Sequence, residues 1–148
     1  MIKKFCSISL VYVLLLNLVS CAGGTNSSSG RKSESPSSPP DLAGEWKQTN
    51  SNSDDSWQSA TIGEDAIEVY WVTDNGDTKS LYWAGTFKAP ETADEPYSWD
   101  SENDREKTDY AMLASGDDIK TFTYKDGELS YSVSALGTTT TVKLEKEG

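Results

Sequence analysis

The sequence predicts an all-β protein, an antiparallel meander of about eight strands closing into a small barrel, and three observations carry that prediction. From Asp41 onward, runs rich in Tyr, Trp, Val, Ile and Thr alternate with Gly, Asp and Asn at short intervals, as strands joined by tight turns do. No long stretch carries the 3.6-residue period of an amphipathic helix. Two turn sequences, around Asp126-Gly127 and Leu136-Gly137, set three successive strands so that they share one apolar face.

Strands are expected at 44–50, 56–62, 66–73, 78–88, 96–101, 119–125, 128–135 and 139–145. Register can be tested at the turns, because a one-residue slip moves every side chain to the other face. At Thr73-Asp74-Asn75-Gly76-Asp77, a two-residue loop would set Glu68 opposite Trp83 and mix charge into the apolar face. A three-residue loop with Gly76 left-handed pairs Trp71 with Lys79, Val69 with Leu81 and Ile67 with Trp83. That choice turns Ile67, Val69, Trp71, Leu81, Trp83, Gly85 and Phe87 inward and leaves Glu68, Tyr70, Ser80, Tyr82 and Thr86 outside.

The later turns are simpler. Lys125-Asp126-Gly127-Glu128 is a type I′ signal that pairs Tyr124 with Leu129 and Phe122 with Tyr131. At Leu136-Gly137-Thr138-Thr139 a type II′ turn with Gly first pairs Ala135 with Thr140, Val133 with Val142 and Tyr131 with Leu144. Between the two halves, 103–115 reads as a short helical or irregular crossing, with Asn103 as cap and Met112 and Leu113 plugging one end of the sheet.

Ahead of Asp41 the chain changes character. Residues 1–20 pair a basic start (Lys3, Lys4) with an apolar run from Phe5 to Val19, and Leu18-Val19-Ser20-Cys21 follows. This segment resembles a bacterial lipoprotein signal peptide with its lipobox. The resemblance implies cleavage between Ser20 and Cys21, a diacylglycerol thioether on Cys21, and an extracytoplasmic protein held at the cell membrane by lipid. Two acyl chains, at ~0.8 kcal/mol per buried methylene, suffice for stable anchoring. Residues 21–40, rich in Ser, Gly, Asn and Pro, read as a disordered tether with an end-to-end distance on the order of 25 Å. The barrel domain is then 41–148.

Composition narrows the function. The chain has 13 basic and 24 acidic residues; without Lys3 and Lys4 the mature part has 11 against 24, a formal charge of −13. Such a surface repels nucleic acid and anionic headgroups and complements a cationic partner. Histidine is absent, and the two cysteines are Cys6, in the signal, and Cys21. The commonest general base, metal ligand and thiol nucleophile are therefore missing from the domain, and a non-enzymatic monomer without cofactor or metal is expected. The alternating carboxylates of Asp100-Ser101-Glu102-Asn103-Asp104-Arg105-Glu106 depart from the EF-hand pattern, with Arg105 at its glycine position and Ala111 at its final glutamate, and read as a solvated acidic loop.

The opening of the first strand, Asp41-Leu42-Ala43-Gly44-Glu45-Trp46, resembles the Gly-x-Trp start of lipocalins and their calycin relatives. The resemblance implies an eight-stranded barrel with Trp46 as its bottom plug, Gly44 allowing close approach, and a basic side chain near that Trp, for which Lys143 and Lys146 are the candidates. It also implies a ligand in the barrel.

Aromatic residues supply the candidate sites. Trp71, Trp83, Phe87, Phe122, Tyr124 and Tyr131 point inward, either as core filling or as the lining of a pocket for a small apolar ligand, a sugar or a peptide. Outward Tyr70 and Tyr82, with Trp57, form a candidate partner patch. Two functions follow: a tethered barrel that binds a small ligand or peptide, or an interaction or inhibitor module whose acidic surface engages a cationic extracellular protein such as a lytic enzyme or phage component.

Overall fold

The computed structural model describes residues 38–148; the expected signal, the expected lipidation at Cys21 with cleavage after Ser20, and the expected tether up to 37 lie outside these residues. Eight antiparallel strands follow one another: β1 (Gly44–Gln48), β2 (Trp57–Ile62), β3 (Ala66–Thr73), β4 (Thr78–Thr86), β5 (Tyr97–Glu102), β6 (Ile119–Lys125), β7 (Glu128–Ala135) and β8 (Thr138–Lys146). One short helix, α1 (Arg105–Thr108), lies in the crossing between β5 and β6. The sheet order is β4-β3-β2-β1-β8-β7-β6-β5, so the first and last strands pair and the sheet curls until β4 and β5 meet. The result is a nearly closed barrel.

The β4–β5 seam is held differently from every other neighbour pair. One bridge joins Gly85 to Asn103, the Glu102 amide donates to Thr86 Oγ1 (2.9 Å), and the crossing supplies the rest: the Asp104 amide donates to Ala84 O (2.8 Å) and the Ser115 amide to Tyr82 O (2.7 Å). Residues 103–118 thus occupy the edge that β5 leaves uncovered on β4. Inside the seam a Cβ on Gly85 would lie 2.4 Å from Ser101 Oγ and 2.5 Å from Glu102 O. Only glycine fits there.

The β6–β7 hairpin has the expected register, Tyr124 opposite Leu129 and Phe122 opposite Tyr131. The β7–β8 ladder is two residues from the expected one, with Tyr131 opposite Val142 and Ala135 opposite Thr138. Both Leu136 (φ 51°) and Gly137 (φ 79°) are left-handed, so the turn is type I′ and not type II′. An even slip preserves the faces, and the shared apolar side survives.

At β3–β4 the expected three-residue loop is replaced by a four-residue one, with Thr73 opposite Thr78 and Asp74, Asn75 and Gly76 all left-handed. Continued unchanged, that register would set Glu68 against Trp83. A β-bulge corrects it: Tyr70 faces Leu81, Val69 faces Trp83, and Tyr82 is the extra residue between them. Ile67 meets Gly85 in consequence, while Trp71, on the turn side of the bulge, meets Ser80 through the longer loop. The bulge also turns Tyr82 inward, to a ring 6.3 Å from Tyr131 and 5.4 Å from Trp71, and leaves Leu81 outside with Tyr70. Both placements reverse the sequence expectation.

In the crossing, Asp104 and not Asn103 caps the helix, its Oδ1 accepting from the Glu106 amide (3.1 Å). Asn103 instead ties the crossing together, donating from Nδ2 to Asp117 O (2.7 Å) and accepting from Thr108 Oγ1 (2.5 Å). Met112 is fully exposed and Leu113 more than half exposed. Neither plugs the sheet, because Trp46, Trp83, Phe122, Ile67 and Leu129 already fill the interior.

Candidate functional site

The interior is organised as a run of aromatic rings along the barrel. Tyr97 stacks on Trp99 (5.8 Å between centroids), Trp99 on Phe122 (5.2 Å), Phe122 tilts against Tyr131 (5.0 Å), Tyr131 stacks on Tyr82 (6.3 Å) and Tyr82 meets Trp71 edge-on (5.4 Å). Phe87 packs edge-on against Trp99 at 5.1 Å. Strand alternation, and for Tyr82 the bulge, puts these rings inside, and contacts of this kind add about 0.5–1.5 kcal/mol each beyond burial. The core is packed, not hollow.

One end is closed by Trp46, buried and donating from Nε1 to Leu42 O (2.9 Å), with Tyr124 edge-on at 6.2 Å. Gly44 has φ 128°, and a Cβ there would stand 3.1 Å from Lys146 Cε. Lys146 bonds Asp41 O through Nζ (2.9 Å). Lys143 faces outward to Glu128 (3.0 Å), so of the two lysines Lys146 stands at the closed end.

The other end opens. There Trp71, Thr73 and Tyr82 from β3 and β4, Leu113 to Asp117 from the crossing, and Val133 to Ala135 from β7 line a cavity of about 540 Å³. The size suits a small ligand. Beneath it Lys120 turns inward from β6, opposite Ser101, with its side chain 4% exposed. Its Nζ donates to Asp117 Oδ2 (2.9 Å) and Ser132 O (3.4 Å) and lies 5.2 Å from the ring centres of both Tyr82 and Trp83. The hydrogen bonds from Lys120, and then from Ser115, hold the Asp117 carboxyl below its usual value. Gln58, fully buried on β2, accepts from the Tyr131 hydroxyl through Oε1, while its Nε2 has no partner among the described residues. Burial pushes the Tyr131 phenol well above its usual value.

The six inward candidates therefore divide. Trp83, Phe87, Phe122 and Tyr131 are core, Tyr124 closes the far end against Trp46, and Trp71 alone of the six lines the mouth. The partner patch does not assemble as expected, because Tyr82 is interior. Trp57 and Tyr70 do lie on the outer face. Lys47 Nζ sits 4.2 Å over the Trp57 ring, and the Tyr70 hydroxyl donates to Glu68 (2.5 Å), which also accepts from Lys107 of α1 (2.6 Å).

Lys120, Gln58 and Trp99 are the site-forming residues that the sequence reading passes over. Alternation from Phe122 places Lys120 inward and alternation through Ala60 and Ile62 does the same for Gln58, but polarity argues against either. Among the described residues no group of three or more Asp, Glu, Cys or His is arranged to hold a metal ion.

The fold and its open end define a small antiparallel barrel with a packed core and a pocket at its mouth. Comparison with known proteins finds no matching family model, no matching curated protein and no matching solved structure.

Proposed function

We propose that this is a non-enzymatic, lipid-anchored cell-surface protein whose barrel binds a small ligand or the end of a peptide at its mouth. The observation that carries the reading is the cavity of about 540 Å³ between Trp71, Tyr82 and the crossing. Its walls combine apolar surface from Trp71, Tyr82, Val133 and Ala135 with a few polar groups, Thr73, Ser115, Asp117 and Ser134, the composition of small-molecule sites. The lipid anchor rests on Leu18-Val19-Ser20-Cys21, and the non-enzymatic reading on a domain without histidine or thiol.

The test is titration of the purified chain with a panel of lipids, sugars, aromatic compounds and short peptides, followed by tryptophan fluorescence. A saturable change that Trp71→Ala weakens at least about tenfold is expected. Absence of saturable binding across the panel overturns the reading.

The alternative, an acidic module for a cationic extracellular protein, retains its charge argument. It loses an aromatic anchor, since of its three candidate residues Tyr82 stands inside and Trp57 and Tyr70 remain on the outer face.

A further inference from the structure

The charged group buried beneath the mouth is a donor. Lys120 brings an ammonium into a nearly dry site, where it donates to Asp117 Oδ2 and Ser132 O. A buried ammonium without a carboxylate facing it is costly, so an anionic acceptor belongs at this position. The carboxylate now facing Lys120 belongs to Asp117, which lines the cavity, follows Gly116 and has a side chain 59% exposed. One partner of this ion pair is thus fixed and buried, and the other stands at the water boundary.

We infer that the mouth binds a carboxylate carried on a flat aromatic body, with the ligand carboxylate taking the place of Asp117 against Lys120 Nζ and the ring lying against Trp71 and Tyr82. The inference rests on the mouth being the ligand site. Chemically the exchange is of like for like: one carboxylate leaves a charge-assisted hydrogen bond and another enters it. Asp117 swings into water that already covers most of it, so its release costs little. A ligand cation fits poorly, because it would share the Asp117 carboxylate with the Lys120 ammonium and stand beside that like charge. Trp71 and Tyr82, edge-on to each other, both line the cavity and give it aromatic surface that an aromatic ligand matches. Small neighbours, Ala114 and Ala135, leave room for a planar group. Because the surface as a whole is acidic, long-range repulsion opposes the approach of such a ligand, and moderate salt should strengthen its binding.

Calorimetric titration of the purified chain with 2-naphthoate, neutral 2-naphthalenemethanol and cationic 2-naphthylmethylammonium tests this. The carboxylate is expected to bind at least about tenfold more tightly than the other two, and more tightly at 0.3 M salt than at 0.05 M. Lys120→Met should abolish that preference. Asp117→Asn, a change at an exposed side chain, should raise naphthoate affinity severalfold and gives a readout even if Lys120→Met fails to fold. Equal or tighter binding of the alcohol or the ammonium overturns the inference and leaves the mouth a ligand site, as does unchanged or weaker naphthoate binding by Asp117→Asn. Binding of other compounds in the panel but none of the three also overturns the inference alone. If no compound of any kind binds, both readings fall.

Discussion

The indole Nε1 of Trp83 donates to Oγ of Ser101 across 3.0 Å, and this buried bond joins β4 to β5 where the backbone ladder between them has a single bridge. Gly85 makes the approach possible. Replacing Gly85 with Ala puts a methyl into the Ser101 hydroxyl and the Glu102 carbonyl, and because one of these is backbone the strands must part. We expect Gly85→Ala to destabilise the domain by about 1–3 kcal/mol, and Ser101→Ala, which strands the indole N–H, by a similar amount. Urea denaturation followed by tryptophan fluorescence measures both; no shift in the Gly85→Ala midpoint would mean that the seam is looser than described.

Leu136 occupies the first position of a type I′ turn with φ 51° and is fully exposed. A branched side chain gains nothing from burial there and bears the cost of the left-handed region, roughly 1–2 kcal/mol for an ordinary residue. Leu136→Asn should therefore raise stability by about 1 kcal/mol, since Asn-Gly is the preferred pair for this turn. A lowered thermal midpoint in Leu136→Asn would contradict the turn assignment.

Glu68 and Asp117 each titrate below their usual values, Glu68 because Lys107 and Tyr70 donate to it and Asp117 because Lys120 and Ser115 do. A depressed carboxyl stabilises the fold above its unfolded value and loses that contribution as pH falls through the folded one. The urea midpoint is accordingly expected to hold down to about pH 4.5 and to decline below it. Glu68→Gln and Asp117→Asn should each flatten the decline, and identical acid limbs in the variants and the parent would refute the assignment.

At the alkaline end the order of causes reverses. Burial, and then the hydrogen bond to Glu68, push the Tyr70 phenol up to about 12. A raised value means stability that is complete below pH 10 and lost as pH climbs toward 12. Absorbance titration at alkaline pH should show Tyr70 and Tyr131 ionising above the ordinary phenol range, and Glu68→Gln should bring Tyr70 downward. Tyr70 ionising at the ordinary phenol value would count against the outer-face network.

Replacement of Cys21 by Ser should release the protein from the membrane fraction into the medium with the barrel intact. Near-ultraviolet circular dichroism checks the fold and fractionation checks the location. Retention of Cys21→Ser with the membrane would show that something other than a lipid on this residue holds the protein there.

Much of this fold is legible in the residues, for local reasons. Asp126-Gly127 specifies both the turn and the register of β6 and β7, because the turn permits one loop length and the aromatic face permits one parity. The Leu136-Gly137 turn shows the limit of the same logic: parity survives a slip of two, so the face is recovered while the pairing and the turn type are not. Tyr82 marks a different limit. A bulge inserts one residue without leaving a trace in the hydrophobic period, and it alone carries Tyr82 from the outside to the wall of the mouth. Lys120 and Gln58 stand inward in the alternation; the partner of Lys120, Asp117, lies only three residues before it, whereas the partner of Gln58, Tyr131, comes from a strand that only the closed sheet brings near. Asn103 and Asp104 are equally good caps in sequence, and the choice falls to Asp104 because the Asn103 side chain is engaged by Asp117 and Thr108 within the crossing.

The sheet order has a consequence for connectivity. The long-range pairing of this domain is that of β1 with β8, where Trp46 lies opposite Lys146 and Lys146 reaches back to Asp41 at 3.5 Å. Cutting the 89–95 loop and joining the end of β8 to Asp41 would leave every ladder in place. It would also turn the sheet into an uninterrupted meander from β5 to β4, with new termini beside the seam. Such a circular permutant converts the most distant pairing into a nearest-neighbour one, lowers the contact order and should fold faster than the natural arrangement.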